Sequence, residues 1–345
     1  MKIAQLAPLA EAVPPKCYGG TERIVAYLVE ELVALGHEVT LFASGNSQTS
    51  AELVPIVPNA LRLDRATRDP LAPLVVLVQE ASRWADAFDV LHVHIDHLHL
   101  PLFQHMQLPF ITTQHGRLDC PQLISLLRTF PDAPFVSISD AQRRPALFAN
   151  WIGTVHHGIP PNLLHLNARP EGYLAFLGRI APEKRLDRAI HIARRAGMQL
   201  QVAAKIDPAD EAYYRNAVRP LLDQPHVEFL EEISDREKNS FLGNAAALLF
   251  PIDWPEPFGL AMIEAMACGT PVIAFNRGSV PEIIDDGVTG FVVEDESGAV
   301  AAIRRLGQLD RRRVRECFER RFTSRRMAEE YLALYHRIAV PVRML

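Results

Sequence analysis

The chain has 345 residues, 48% of them hydrophobic, and carries a formal net charge of -5. That is apolar material for two cores rather than one, and the mild acidity excludes a global attraction for polyanions, so nucleic acid is not an expected partner. Four widely spaced cysteines, Cys17, Cys120, Cys268 and Cys317, include no C-x-x-C pair, which excludes a disulfide framework or a cysteine zinc site and fits a reducing cytoplasm.

From the amino terminus, MKIAQLAPLA reads as a first β-strand and lacks the apolar core and small-residue cleavage site of a signal peptide. No apolar run reaches the roughly 18 residues that a membrane span needs, so a cytoplasmic protein is expected. Short apolar runs then alternate with longer amphipathic segments. KIAQLAP (2–8), EVTLFAS (38–44), VLHVH (90–94), FITTQ (110–114), FVSIS (135–139) and GTVHHG (153–158) read as buried strands. TERIVAYLVEELVALG (21–36) reads as a helix with Ile24, Leu28, Leu32 and Leu35 on one face. After a polar, proline-bearing break at 160–172 the pattern restarts. YLAFLG (173–178), LQVAAK (200–205), VEFLE (227–231), ALLFP (247–251) and PVIAF (271–275) form a second set of strands, with helices expected at 184–196, 208–222, 234–244, 260–268 and 324–338.

Strand-helix alternation predicts an α/β protein with parallel sheets covered on both sides. The expected division is 1–165, 166–323 and a C-terminal helical segment at 324–345. Open α/β sheets bind ligands beyond the carboxyl ends of their strands, so the motifs are judged by whether they fall there.

FLGRIAPEK (176–184) reads as a strand, a loop carrying Arg179, and Lys184 at a helix start. Two cations so placed can converge on a diphosphate, and the helix N-terminus adds a favourable dipole. EPFGLAMIE (256–264) sets Glu256 before a helix and Glu264 inside it. A glycine at the helix start lets a ligand approach the amides of Phe258, Gly259 and Leu260, while the two carboxylates can take sugar hydroxyls. Each piece alone also fits solvated loop charges.

Together, FLGRIAPEKRLD, EPFGLAMIEAMACGTPVIAF and GSVPEIIDDGVTGFVV resemble the retaining GT-B glycosyltransferases of family GT4. The resemblance implies two Rossmann-like doubly wound domains facing a central cleft, with the nucleotide-sugar donor held mainly by the second and the acceptor mainly by the first. It implies that Arg179 and Lys184 bind the diphosphate, Glu256 the donor sugar and Glu264 the ribose. CYGGTER (17–23) resembles the family's N-terminal glycine loop, with Gly19 and Gly20 at the donor or acceptor and Glu22 beside them. His115, in PFITTQHGR, matches the position of a histidine near the donor sugar.

The loop PIDWPEPFG departs from the shorter form of many relatives, so Asp253 and Trp254 are candidates for sugar selection. HVHIDH (92–97) matches the zinc signature of metallo-β-lactamase-like hydrolases as a bare pattern, but that class needs an αββα sandwich and further ligands. The favoured reading places His92 and His94 on one buried strand, with Asp96 and His97 as cleft or acceptor contacts. The Arg-rich run 304–326 can meet anionic lipid head groups; the favoured reading is a solvated helical face paired with Glu316, Glu319, Glu329 and Glu330.

The expected activity is retaining transfer of a sugar from an NDP-sugar, UDP- or GDP-linked, to a hydroxyl on a sugar, lipid-linked or small-molecule acceptor. No cofactor or metal is expected, because no D-x-D motif is placed to hold one. A zinc hydrolase, a sugar phosphorylase and a non-catalytic nucleotide-sugar sensor are the alternatives.

Overall fold

The computed structural model describes residues 1–16, 19–62 and 67–339. Cys17 and Tyr18 of the glycine loop and residues 340–345 of the C-terminal segment lie outside the described residues. The chain divides into two units, Met1–Gly158 together with the chain from Ser324, and Ile159–Thr323. The first unit ends at Gly158, ahead of 165, because Ile159 already bridges Thr323 and donates its N–H to the Phe322 carbonyl at 3.0 Å.

In the first unit, β1 (Lys2–Leu6), β2 (Glu38–Ser44), β3 (Glu52–Val57), β4 (Val90–Val93), β5 (Phe110–Thr113), β6 (Phe135–Ser137) and β7 (Trp151–Thr154) form one parallel sheet in the order β3-β2-β1-β4-β5-β6-β7. Ile3 to Leu6 of β1 and all of β4 are buried, as strands covered on both faces must be. Helix α1 (Gly20–Ala34) follows β1 and buries Ile24, Val25, Leu28, Val29 and Leu32. Leu35 lies just past its end. Strand β3 carries no clear signal in the sequence: it sits at the sheet edge and contains Pro55, which cannot donate to a ladder.

In the second unit, β8 (Tyr173–Ile180), β9 (Leu200–Ile206), β10 (Val227–Phe229), β11 (Ala245–Phe250), β12 (Val272–Phe275) and β13 (Gly290–Val293) form a second parallel sheet in the order β10-β9-β8-β11-β12-β13. The helices that bear on the site are α2 (Leu186–Ala196), α3 (Asp235–Gly243), α4 (Leu260–Ala267) and α5 (Arg311–Arg321). Each unit has its own apolar core, centred on Phe42, Leu91, Phe103 and Phe135 in the first and on Leu174, Ile190, Val202 and Leu249 in the second. The segment 208–222 is not one helix. It breaks into a 3-10 turn, a single α turn, a π turn at Tyr214–Val218 and a last turn, Arg219–Leu222, that begins beside Pro220.

The final helix α6 (Ser324–Ile338) belongs to the first unit. Met327, Ala328, Tyr331, Leu334 and Tyr335 form its buried stripe. The two tyrosines are fully buried, so their hydroxyls need partners inside the protein.

Candidate active site

Strand order reverses between β8 and β11 in the second unit, which opens a crevice beyond their carboxyl ends. Residues expected to carry chemistry gather there. Arg179 lies on β8 itself, paired in register with Lys205, and not in the loop expected from sequence. The strand runs on to Ile180 because β9 is long enough to pair with it. Lys184 sits in the turn before α2, which starts only at Leu186 because Arg185 adopts a left-handed conformation.

Just past β11, Glu256 is 7% exposed and its Oε2 is gripped from two sides. Lys184 Nζ forms an ion pair with it, and Trp254 Nε1 donates to it at 2.9 Å. The same ammonium stands 5.0 Å from the Trp254 ring and 5.7 Å from the Phe250 ring, a cation-π arrangement that holds it in place. Arg179 is balanced by Glu183 at 2.7 Å and by Asp210 at 3.2 Å. Asp253 takes Arg185 at 2.9 Å and Arg188 at 3.4 Å, which ties the PIDWPEP loop to α2.

Beneath Glu256 lies a brace from the GSVPE segment, whose contact with the glutamate loop no local pattern shows. Ser279 donates its N–H to the Glu256 carbonyl at 3.0 Å and its hydroxyl to the Phe258 carbonyl at 2.8 Å. Gly278, at φ 55°, lies so close that a Cβ would overlap the Glu256 amide nitrogen and carbonyl oxygen. The GSVPE segment is therefore the floor on which the glutamate loop rests.

Gly259, at φ 86°, caps α4 and Leu260 opens it; the Phe258 ring packs edge-on against Phe322. First-turn amides of a helix have no intrahelical acceptor, so this end favours an anion. Glu264, 5% exposed, lies one turn in, and Lys238 of α3 reaches its Oε1 at 2.7 Å. Lys238 was not legible as a site residue, since nothing in the local pattern of α3 links it to a carboxylate 26 positions on.

In the first unit the reversal falls between β1 and β4. Gly19 caps α1, its carbonyl accepting from Arg23 N–H at 3.1 Å, and Gly20 opens the helix. Glu22 is buried and accepts from the Glu11 amide at 3.3 Å; burial pushes its carboxyl above the ordinary range. Past β4, Asp96 at φ 58° and His97 are both exposed. A cavity of about 410 Å³ is lined here by Leu9, Leu61, Leu74, His94, Ile95 and Asp96, among others.

His92 and His94 of HVHIDH turn inward. His92 Nδ1 lies 2.7 Å from Tyr335 Oη and its Nε2 2.7 Å from Thr113 Oγ1. His94 Nε2 lies 2.9 Å from Gln5 Oε1 and its Nδ1 2.9 Å from His115 Nε2. Every ring nitrogen of the pair is hydrogen-bonded, and no cluster of three side chains suited to a metal occurs among the described residues. With parallel sheets in both units, the zinc-hydrolase pattern has neither its fold nor its ligands. His115 stacks on His157 at 5.3 Å, and burial pushes its pKa down to about 3.

Arginines of the 304–326 run are engaged within the protein. Arg311 is buried and donates to the carbonyls of Asn167, Ala245 and Gly243 at 2.6 to 2.8 Å, and Arg315 to those of Leu164 and Pro161 at 2.7 and 2.6 Å. Arg313, Arg321 and Arg326 pair with Glu316, Asp285 and Glu330. No helix of the described residues is long and apolar enough to cross a membrane.

Two Rossmann-like parallel sheets, with cations and carboxylates at the strand-order reversal of the second, define a glycosyltransferase of the GT-B class. The chain belongs to glycosyltransferase family 4: the model for Glycosyltransferase Family 4 matches residues 18–208, and that for Glycosyl transferases group 1 matches residues 165–316. It is similar to the phosphatidyl-myo-inositol mannosyltransferase of Mycolicibacterium smegmatis, 26% identical over 94% of this chain and 89% of that one. The D-inositol 3-phosphate glycosyltransferase of the same organism is 25% identical over 80% of this chain and 75% of its own. Among solved structures, AviGT4, a glycosyltransferase involved in avilamycin A biosynthesis, is 25% identical with a TM-score of 0.73, covering 98% of each chain. Anabaena HepE, solved with UDP and glucose, shares the fold at a TM-score of 0.75 and 17% identity, over 98% of this chain and 100% of that one. The protein is thus a glycosyltransferase.

Proposed function

We propose that the protein moves a sugar from a GDP- or UDP-sugar to a hydroxyl acceptor with retention of anomeric configuration and without a metal. The observation that carries the reading is the charge set at the carboxyl ends of β8 and β11, where Lys184 and Trp254 hold one oxygen of Glu256 and Arg179 is balanced by Glu183 and Asp210. A diphosphate entering there exchanges carboxylate partners of Arg179 and Lys184 for phosphate oxygens, so the cations need little further desolvation. Glu256, its Oε2 still held by the Trp254 indole N–H, orients a donor-sugar hydroxyl through its remaining lone pairs. The amides of Phe258, Gly259 and Leu260 face the phosphates, and Glu264 the ribose. Departure of the diphosphate is stabilised by the two cations, and a donor phosphate oxygen takes the acceptor proton as the new bond forms on the same face.

The first unit binds the acceptor, with Asp96 and His97 beside the mixed cavity of Leu9, Leu74 and Ile95. Relatives named for inositol-containing acceptors make a polyol the first class to try. The test is nucleotide release from GDP-, UDP- and ADP-sugars with inositol, inositol phosphate or phosphatidylinositol, with and without EDTA, followed by NMR of the product anomer. EDTA-resistant turnover of one donor with retention is expected. An inverted product, or activity abolished by EDTA and restored by a divalent ion, overturns the mechanism.

A further inference from the structure

A buried hydrogen-bonded chain in the first unit leads from the C-terminal helix to His115. Tyr331 Oη lies 2.9 Å from Thr113 Oγ1, Thr113 meets His92, and His92 meets Tyr335. Gln5 Nε2 lies 3.0 Å from Tyr335 Oη while Gln5 Oε1 faces His94, which faces His115. Burial keeps the three imidazoles neutral, so each has one N–H and one bare nitrogen.

Neutral rings linked in this way allow two consistent proton arrangements. In the first, the Gln5 amide N–H donates to Tyr335 and the Gln5 carbonyl accepts from His94 Nε2–H. His94 Nδ1 is then bare and accepts from His115 Nε2–H, which leaves His115 Nδ1 bare. In the second, every donor and acceptor is exchanged and His115 carries its proton on Nδ1. The orientation of the Gln5 amide selects the first. Energy selects it too: His115 Nδ1 is buried without a hydrogen-bond partner, and a stranded N–H is a rarer orphan than a stranded lone pair.

We propose that Gln5 and Tyr335 are positioning residues that fix His115 as its Nε2–H tautomer, so that Nδ1 accepts from a sugar hydroxyl and cannot donate to a phosphate oxygen. The identity of that hydroxyl rests on the transferase reading; the tautomer does not. No catalytic proton moves along the chain. Its role is to point a lone pair in a set direction, which a sugar O–H satisfies and an acceptor-only group leaves unmet.

The experiment is two-bond nitrogen-proton NMR of the full chain labelled with 15N-histidine, with His115 assigned by its loss in His115→Gln. The expected spectrum shows His115 protonated on Nε2 and bare on Nδ1. Gln5→Leu is expected to let His115 populate both tautomers and to lower kcat on the order of tenfold with little change in donor KM, the low end for removing a partner that orients an imidazole. Gln5→Glu, whose carboxylate accepts from His94 as the Gln5 carbonyl does and takes the Tyr335 O–H in place of donating to it, should retain the wild-type tautomer and most of the rate. An Nδ1-protonated His115 in the wild type, or a tautomer unmoved in both Gln5→Leu and Tyr335→Phe, overturns the proposal. A correct tautomer in a protein that turns over no nucleotide sugar would leave the positioning role of Gln5 and Tyr335 standing and sink the transferase mechanism.

Discussion

Glu256 is held in three ways: its carboxylate by an ion pair and an indole N–H, and its main-chain carbonyl by the Ser279 N–H. Removing it is expected to strand the partly buried Lys184 and to lose the group that orients the sugar. Glu256→Ala should therefore lower nucleotide release on the order of a hundredfold and reduce thermal stability, whereas Glu256→Gln should keep the Trp254 contact and most of the stability. A Glu256→Ala protein with wild-type turnover would remove this residue from the site. The buried histidines make a second prediction. His92, His94, His99, His115 and His157 all have pKa values depressed by burial, His99 and His115 to about 3. Below the unfolded value near 6.5 the unfolded chain takes up protons that the folded chain refuses, so stability falls as pH drops from there towards 3. Each such histidine contributes a slope of up to about 1.4 kcal/mol per pH unit. Denaturant midpoints should be steady between pH 7 and 8 and fall steeply between pH 6 and 5; a flat profile over the lower range would mean the imidazoles are already charged in the native protein.

Between elements, the decisive contact is the GSVPE turn against the loop that carries Glu256. Gly278→Ala would drive a methyl into the Glu256 backbone, and it is expected to weaken donor binding at least tenfold while destabilising the second unit. Gly287 also has a positive φ, 73°, but a Cβ there meets nothing within 4 Å. Its alanine variant should lose about 1–2 kcal/mol with donor affinity unchanged, as read by calorimetry against UDP and GDP. Equal effects from the two variants would show that the brace acts only through backbone strain. Elements were legible to different degrees. Central strands such as β1, β4, β8 and β11 announce themselves as apolar runs because both faces are covered. Edge strand β3 does not, since its residues are only partly buried and need not be apolar. The break in 208–222 was invisible for another reason: its periodic pattern is helical, and Pro220 with the π turn redirects the chain without changing that pattern.

For the whole molecule, α6 is the piece whose place depends on residues farthest away in sequence. Tyr335 bonds Gln5 and His92, and Tyr331 bonds Thr113, across hundreds of positions. A chain ending at Thr323 would leave buried hydroxyl and imidazole groups of the first unit without partners, each costing about 1–3 kcal/mol, and would uncover the apolar surface that Met327, Tyr331 and Leu334 cover. The expected outcome is loss of cooperative unfolding in the first unit, followed by hydrogen exchange, with the second unit retaining its protection. Protection in β1 and β4 equal to that of the full chain would overturn it. The two-unit α/β architecture and the motifs of the second unit could be read from the chain because strand and helix periodicity are local, and because Arg179, Lys184, Glu256 and Glu264 fall within short contiguous patterns. The pairing of those groups, the contact of the Gly278–Ser279 brace with Glu256, the Lys238 contact and the inward turn of His92 and His94 could not. They are meetings between strands and helices remote in sequence, and a bare H-x-H-x-D-H pattern does not say whether its nitrogens face a metal or the hydroxyls of a helix more than two hundred residues on. Folding settles that choice by burying Tyr335, whose hydroxyl must be paired once water is gone.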